Sequence, residues 1–500
     1  MASEETIELG KQVVVVLYRL SDDGTSNYSF ETQMRWWDTI TTVRNTIRQR
    51  TGIPHELIDI VYSGKKISSK VALYQLKVNR NTIRLDYYCR SLRGDNSAWI
   101  QIVSKVKLDQ EFLDSLDEVR NSFVTGIKPE LSLYGSGGTY FLNDAYKWNL
   151  LVFKPEDEEP FAENNPRNLQ GVTGHRGFRK GIRSGEGWKR EVAAFMLDRS
   201  RLFSVPTTAQ ALVCHPYFRN RNPGVKTKVG SLQQFVCDAD LCSDWSCSLY
   251  SAFEVQKIAF LDMYMMNTDR NDANIMVKRR SGEMKLIPID HGYCLPDCFE
   301  INDLSWCWLD WKQTRQPWDP RIVAFAEQMD VLGDARMLNE WLGIRRVCLL
   351  LFRMSGLLLK RGVTQGLSPA ELASFYVRRD VNQERPCPLE CIVQECVERA
   401  KTYCAMRKMA RGQEEWVLNH SSSMIFHKPE KEEMVRNYST QSMSSLAFSE
   451  EPYRFPPEIE HKLTHDQEFR HLFFEIYEES ISFHIASILQ CHGADPPVSF

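Results

Sequence analysis

Asn267-Thr-Asp-Arg-Asn-Asp-Ala-Asn274 lies between two apolar stretches of different character. Val255–Met266 before it reads as a helix, and Ile275–Lys278 after it reads as a short strand. The polar loop therefore carries Asp269 and Asn274 together, five positions apart. A loop carboxylate can orient a hydroxyl and accept its proton, and an amide oxygen suits a hard cation. A second stretch follows, Met284-Lys-Leu-Ile-Pro-Ile-Asp290-His-Gly-Tyr-Cys294. Its apolar strand delivers Asp290 at the end, where a carboxylate is the expected metal ligand.

Two further stretches lie upstream. Gly135-Ser-Gly-Gly-Thr139 is a glycine turn whose backbone N–H groups can approach phosphate oxygens, with Ser136 and Thr139 adding hydroxyls. Asn149-Leu-Leu-Val-Phe-Lys154 is an apolar strand ending in a lysine that can reach phosphates as a point charge. A lone glycine turn, a strand-end lysine or an Asp/Asn-rich loop is more often structural than catalytic. The order phosphate loop, lysine strand, catalytic loop, metal aspartate points to phosphoryl transfer from ATP, with Mg²⁺ or Mn²⁺.

The segment from about 131 to 412 resembles the phosphatidylinositol 3- and 4-kinase superfamily, and within it the group with ubiquitin-like domains called phosphatidylinositol 4-kinase gamma. The stretches that carry the resemblance include Val152-Phe-Lys-Pro-Glu-Asp-Glu-Glu-Pro160, Asn164-Asn-Pro-Arg167, Arg190-Glu-Val-Ala-Ala194, Lys228-Val-Gly-Ser-Leu-Gln-Gln-Phe-Val236 and Ile289-Asp-His-Gly-Tyr-Cys294. The resemblance implies a bilobal kinase fold in which Gln234, Phe235 and Val236 form the hinge for adenine. It also implies a carboxylate partner for Lys154. Glu191 is one candidate, and Glu158 and Glu159 are the others. The catalytic loop departs from many relatives, which read Asp-Arg-His-Ala-Gly-Asn where this chain has Asp269-Arg-Asn-Asp-Ala-Asn274.

The N-terminal part has its own pattern. Gln12–Tyr18 is a β-branched run, and a short strand is expected near Ser29–Gln33. Ile40, Val43 and Ile47 have helical spacing, with Asp38 or Thr39 as cap. Strands at Ile58–Tyr62 and Asn81–Tyr88 flank the turn Ser63-Gly-Lys-Lys66. With Thr51-Gly-Ile-Pro54 at its spacing, this order resembles the ubiquitin superfold. The chain continues past Leu92-Arg-Gly-Asp95, so the resemblance implies a recognition module and not a conjugated tag. Asp86 falls where ubiquitin's docking face has an apolar residue, which weakens that patch.

The fold class is therefore α+β, an N-terminal ubiquitin-like β-grasp module followed by a bilobal kinase domain. The expected divisions are a tail at 1–9, the ubiquitin-like domain at 10–92, a helical linker at 93–130 and the kinase domain at 131–412, its N-lobe ending near 238. A flexible linker is expected at 413–463 and a C-terminal helix at 464–492, capped by Thr464 with Gln467. The composition of 43% hydrophobic and 11% aromatic residues supports packed cores. A net charge of −3 argues against a nucleic-acid partner. The 14 cysteines form no CxxC pair, which points to free thiols in a reducing compartment. No secretory signal, myristoylation pattern or bilayer-length apolar run occurs in the sequence, so the expected location is cytoplasmic, peripheral to a membrane, or nuclear.

The acceptor is read from weaker signals. His175-Arg-Gly-Phe-Arg-Lys-Gly-Ile-Arg183, with Lys189 and Arg190, is either an anionic-membrane contact or a solvated loop. Trp306, Trp308, Trp311 and Trp318 either meet headgroups or pack in the C-lobe, with packing preferred. The leading acceptor is the inositol 4-hydroxyl of phosphatidylinositol at a membrane surface. A protein Ser/Thr acceptor and a non-catalytic adaptor are the alternatives, and the ubiquitin-like module is expected to bind protein partners.

Overall fold

A computed structural model describes residues 12–20, 26–51, 58–62, 65–76, 82–89, 98–103, 106–220, 227–280, 282–299, 306–378, 385–420 and 454–492. The 1–9 tail, Gly52-Ile-Pro54, Ser63-Gly64, Asn81, Leu92-Arg-Gly-Asp95 and 421–453 of the expected linker lie outside the described residues. The chain divides into two units. The first holds Met1–Phe178, Arg183–Met196 and Pro206–Cys237; the second holds Arg179–Ile182, Leu197–Val205 and Asp238–Phe500.

The first unit begins with β1 (Gln12–Leu20), β2 (Ser26–Arg35), α1 (Ile40–Thr51), β3 (Ile58–Tyr62), β4 (Lys65–Lys66) and β5 (Thr82–Cys89). The sheet order is β2-β1-β5-β3-β4, with β1 antiparallel to β2 and parallel to β5. That is the β-grasp arrangement. Alternation along β1 sends Val13, Val15 and Leu17 inward, where they meet Ile40, Val43 and Ile47 of α1. Of the two expected caps, Thr39 directly precedes α1 and its carbonyl accepts the N–H of Val43 at 3.1 Å, while Asp38 Oδ2 accepts the N–H of Arg35 at 2.8 Å and closes the preceding turn. Val61 is paired with Asp86, whose Oδ1 receives Arg84 Nε at 3.4 Å. Arg84 in turn lies over the Tyr18 ring, so this face of the sheet is polar and aromatic.

The segment expected as a helical linker is the start of a second sheet in the same unit. It comprises β6 (Trp99–Ile102), α2 (Gln110–Val124) and β7 (Glu130–Leu131). There follow β8 (Tyr140–Asn143), β9 (Asn149–Pro155), α3 (Gly187–Leu197), β10 (Thr208–Cys214) and β11 (Thr227–Gln234). The six strands run in the order β6-β10-β11-β9-β8-β7. The physical reason is burial. Ile100 of β6 and Phe112, Leu116, Val119 and Phe123 of α2 share one core with Leu142, Leu151, Phe153, Ala211 and Val213. Asp109 caps α2, its Oδ1 accepting the N–H of Phe112 at 2.8 Å. Gln101 is buried and donates through Nε2 to the Tyr87 hydroxyl at 3.2 Å, a polar contact between the two sheets.

His215 follows β10, its ring edge-on to Phe123 and its Nδ1 accepting the N–H of Tyr217 at 3.0 Å. Burial, with some help from Lys128, pushes its pKa down from 6.5 to about 4. The folded chain thus keeps a neutral imidazole that the unfolded chain protonates. The stability this contributes is full above about pH 6.5 and lost as pH falls toward 4. His215→Asn keeps an acceptor in place without the titration. Denaturant midpoints at pH 7 and pH 5 should differ less in the variant than in the wild type.

The second unit contains β12 (Asp240–Leu241), α4 (Ala252–Met265), β13 (Ile275–Arg280) and β14 (Glu283–Pro288). Ser251 caps α4, and Met266 ends it in the left-handed conformation at φ 49°. The rest is helical: α5 (Pro320–Glu327), α6 (Val331–Leu342), α7 (Arg346–Gln365), α8 (Pro369–Ala373), α9 (Pro388–His420), α10 (Pro457–His465) and α11 (Gln467–His492). The apolar run in α7 is buried core, and no described helix is long and apolar enough to cross a membrane. Two expectations need correction. Residues 413–420 continue α9, and 457–463 belong to α10, so neither piece is linker. The C-terminal helix starts at Gln467, with Asp466 Oδ1 accepting the N–H of Phe469 at 3.0 Å, while Thr464 sits inside α10 and bonds the Glu460 carbonyl at 2.7 Å. Trp306, Trp308 and Trp318 are buried, as the packing alternative requires. The 13 cysteines from Cys214 onward are free thiols; Cys242 is buried, Cys237 is exposed, and the stretch around them is a short strand with 3-10 turns.

Candidate functional site

In the first unit, β9 places Lys154 opposite α3. Its Nζ lies 2.5 Å from Glu191 Oε1, with the Glu191 side chain almost fully enclosed. Of the three carboxylates open to Lys154 in the sequence, the packing selects Glu191. Glu158 is taken by Lys228 Nζ at 2.9 Å and by the Tyr140 hydroxyl at 2.6 Å. Glu159 closes the N-terminus of α3. Its Oε2 accepts N–H groups of Gly185 at 2.8 Å and Gly187 at 3.0 Å, and its Oε1 accepts Trp188 at 2.9 Å. Burial nonetheless pushes its pKa up to about 7. The sequence reading missed this clamp. Its signal was an acidic run, 156–159, followed well downstream by the Gly-Glu-Gly helix start at 185–187.

The glycine turn is held from below. Gly138 donates its N–H to the Glu158 carbonyl at 2.8 Å. A Cβ there would meet Glu158 Oε2 at 2.4 Å and Glu158 Cβ at 2.6 Å, so this glycine serves close packing instead of offering its amide to phosphate. Asn165 Nδ2 bonds the Ser136 carbonyl at 2.9 Å, and the Thr139 carbonyl accepts Ser132 N–H at 2.8 Å. Gly135 takes φ +91°, a left-handed turn with open space around it. Gly135, Ser136 and Gly137 are thus the part of the turn turned outward. At the expected hinge, Gln234 N–H donates to Thr207 O at 2.8 Å and Phe235 N–H to Leu150 O at 2.9 Å. Val236 is the member of the trio for which no such bond occurs among the described residues.

In the second unit, one buried guanidinium organises the Asp269–Asn274 loop. Arg270 Nε bonds Asp262 Oδ1 at 3.0 Å and Oδ2 at 3.1 Å. Its Nη1 reaches the carbonyls of Asn274 at 2.5 Å and Ile289 at 2.7 Å. One side chain therefore joins the backbone at Asn274 to the backbone just before Asp290. Asp262 is further held by Trp308 Nε1 and Asn267 Nδ2, both at 2.9 Å. Trp306 Nε1 bonds the Asn267 carbonyl at 2.7 Å, and Asn267 Oδ1 accepts the N–H of Asp269 at 3.0 Å. The sequence reading gave Arg270, Asp262 and Asn267 no role. Only the apolar period of α4, broken by a charge at 262, could have marked a buried polar centre.

Asn274 turns its Nδ2 onto the Asp269 carbonyl at 2.8 Å, which leaves Oδ1 as the atom that could meet a cation. Asp290 adopts φ +55°, a left-handed conformation uncommon outside glycine and associated with functional sites. Two oxygen donors, one amide and one carboxylate, fit a Mg²⁺ that keeps water and phosphate oxygens. Asp269 is half-buried. Burial pushes its carboxyl up, the Arg179 guanidinium pulls it down, and Asp290 pushes it up again. Arg179 Nη2 lies 2.8 Å from Asp269 Oδ1, a contact not anticipated from sequence.

Residues 135–367 match the family Phosphatidylinositol 3- and 4-kinase. The chain is 38% identical over 305 residues to Phosphatidylinositol 4-kinase gamma 4 of Oryza sativa subsp. japonica, covering 58% of this chain and 52% of that protein. It is 36% identical over 318 residues to Phosphatidylinositol 4-kinase gamma 4 of Arabidopsis thaliana, covering 60% and 54%. With Phosphatidylinositol 4-kinase gamma 7 of Arabidopsis thaliana the identity is 30% over 395 residues, covering 73% and 60%. The chain spans about half the length of the first two relatives. A solved structure titled Caldiarchaeum Subterraneum Ubiquitin aligns at 15% identity and TM-score 0.15, covering 16% of this chain and 98% of its own. The matched segment contains the glycine turn, Lys154 with Glu191, the Asp269 loop and Asp290, and residues 135–367 constitute a domain of the phosphatidylinositol 3- and 4-kinase family.

Proposed function

We propose that this chain is an ATP-dependent phosphotransferase that places phosphate on the inositol 4-hydroxyl of phosphatidylinositol. The observation that supports it best is the loop of the second unit, where Arg270 ties the Asn274 and Ile289 carbonyls together and so fixes Asp269, Asn274 and Asp290 in one constellation. The relatives named as phosphatidylinositol 4-kinases support the acceptor.

In this reading Asp269 orients the acceptor hydroxyl and takes its proton as the hydroxyl oxygen bonds to the γ-phosphorus of ATP. The bond from that phosphorus to the β–γ bridging oxygen breaks, and its electron pair leaves with ADP. Asn274 and Asp290 would hold Mg²⁺ or Mn²⁺, which neutralises charge on the phosphate oxygens. Lys154, aimed by Glu191, supplies a point charge to the phosphates, and Gly135, Ser136, Gly137 and Thr139 cover them. Val236 is the hinge residue for adenine. Among the basic residues, Arg176, Lys180, Arg183 and Lys189, beside His175, form the membrane contact, each Lys or Arg contributing about 1 kcal/mol. Arg190 is excluded from it, because it is buried and bonds Glu186 Oε2 at 3.0 Å. The ubiquitin-like module recruits protein partners, and the chain works as a peripheral protein on a cytoplasmic leaflet.

Glu191→Gln keeps the volume of the side chain and removes the charge that aims Lys154. It should lower kcat/KM for ATP by about 10²-fold, the cost of misplacing a positioned group by about 1 Å. Steady-state kinetics against ATP read this directly. For the acceptor, the full chain is incubated with ATP, Mg²⁺ and phosphatidylinositol vesicles, and the lipid product is deacylated and its position isomers separated. The 4-phosphate is expected. A 3-phosphate, or no phosphorylated lipid, overturns the assignment.

A further inference from the structure

Asp269 sits at the reacting centre in the reading above, and the inference drawn here rests on that reading. Among the described residues, both donors to its carboxylate go to the same oxygen. Arg179 Nη2 reaches Oδ1 at 2.8 Å, and Asn271 Nδ2 approaches Oδ1 at 3.4 Å. The other oxygen, Oδ2, is left to meet an incoming hydroxyl. A charged N–H donor forms the stronger of the two bonds, so Arg179 sets the rotation of the carboxylate.

Arg179 is not held by Asp269 alone. Its guanidinium lies 6.0 Å from the centre of the Tyr293 ring, three residues beyond Asp290. Two residues on, the Gly181 carbonyl accepts the N–H of Asp297 at 2.9 Å. Gly181 has φ +81°, and a Cβ there would come within 3.0 Å of both Cys298 Sγ and Pro296 Cβ. Only glycine allows this approach without movement. Asp297 is itself clamped by Arg345 Nη1 at 2.7 Å and by Arg454. The segment that carries Arg179 is therefore fastened to the stretch that follows Asp290.

We propose that Arg179 is a positioning residue for phosphate transfer: pinned through Gly181, it holds Oδ1 of Asp269 so that Oδ2 faces the acceptor hydroxyl. Geometry of this kind is expensive to lose, since a carboxylate turned away by about 1 Å forfeits about 10²-fold in rate. The charge is needed on a long, restrained side chain, and a lysine on the same backbone reproduces it in part.

The test uses the full chain and follows loss of the γ-phosphate from ATP, whether it goes to phosphatidylinositol vesicles, protein or water. Arg179→Ala should lower kcat by about 10–100-fold with KM for ATP changed less than twofold. Arg179→Lys should recover a tenfold or greater part of a hundredfold loss. Gly181→Ala shifts the anchor and should lower kcat in the same way. The double variant should be no slower than the slower single variant, because both act on one coupled element. An unchanged kcat in Arg179→Ala overturns the proposal. So does a double variant in which the two losses multiply, or a loss matched by a fall in the denaturant midpoint that lysine does not reverse. Label in protein and none in lipid defeats the acceptor reading while the Arg179 comparison proceeds on that acceptor. A wild type that consumes no ATP defeats both.

Discussion

Asp269→Asn should lower phosphate transfer by about 10²–10⁴-fold while leaving ATP affinity within a factor of two. The substitution is isosteric and keeps an acceptor oxygen, so the hydroxyl can still be oriented. It cannot accept the proton, and the attacking oxygen loses its nucleophilic assistance. The surroundings argue for a clean loss. The Asp269 N–H is held by Asn267 Oδ1 at 3.0 Å and its carbonyl by Asn274 Nδ2 at 2.8 Å, both independent of the carboxylate. The loop should therefore stay in place. Steady-state kcat together with equilibrium binding of an ATP analogue separates chemistry from binding. Equal losses in both would mean that the loop had collapsed instead.

Arg270→Met should destabilise the second unit by about 3–5 kcal/mol, the usual cost of breaking a buried ion pair from one side. Arg270 and Asp262 are both enclosed, and their mutual bonds at 3.0 and 3.1 Å satisfy charges that have no solvent to fall back on. Methionine matches the length of the stem but leaves the carboxylate, among the described residues, with Trp308 and Asn267 as donors. It also strips the guanidinium from the carbonyls of Ile289, directly before Asp290, and of Asn274, which is left with the Ile289 N–H at 3.0 Å. Activity should fall further than the folded fraction does. Chemical denaturation gives the first number, and transfer assayed far below the midpoint gives the second. Replacing Asp262 by Ala should cost a similar amount, since it strands the cation in place of the anion.

The parts of this protein that were legible in its sequence are local ones. The strand of Ile58–Tyr62, the helix under Ile40, Val43 and Ile47, and the Asp269–Asn274 loop between a helix and a strand each declare themselves within about ten residues. What was not legible depends on partners far away in the chain. Glu158, Glu159 and Glu191 are chemically equivalent choices for Lys154; Lys228, Tyr140 and the N-terminus of α3 decide among them. Trp99–Ile102 is too short to show a period, and it becomes a strand because β10 pairs with it. At the C-terminal helix, Thr464 with Gln467 has the capping pattern, yet Asp466 is the residue that caps, because α10 runs on to His465 and takes Thr464 into its last turn. The contact from Arg179 to Asp269 spans ninety positions and left no trace in spacing or composition.

The central claim is that the Asp269 centre transfers phosphate to a lipid. The most direct measurement offers the purified full chain γ-labelled ATP with phosphatidylinositol vesicles and a protein mixture side by side, and runs Asp269→Asn in parallel. Label in the lipid, reduced by at least about 10²-fold in the variant, is the predicted result. Label confined to protein, or lipid label that the variant retains, would contradict it.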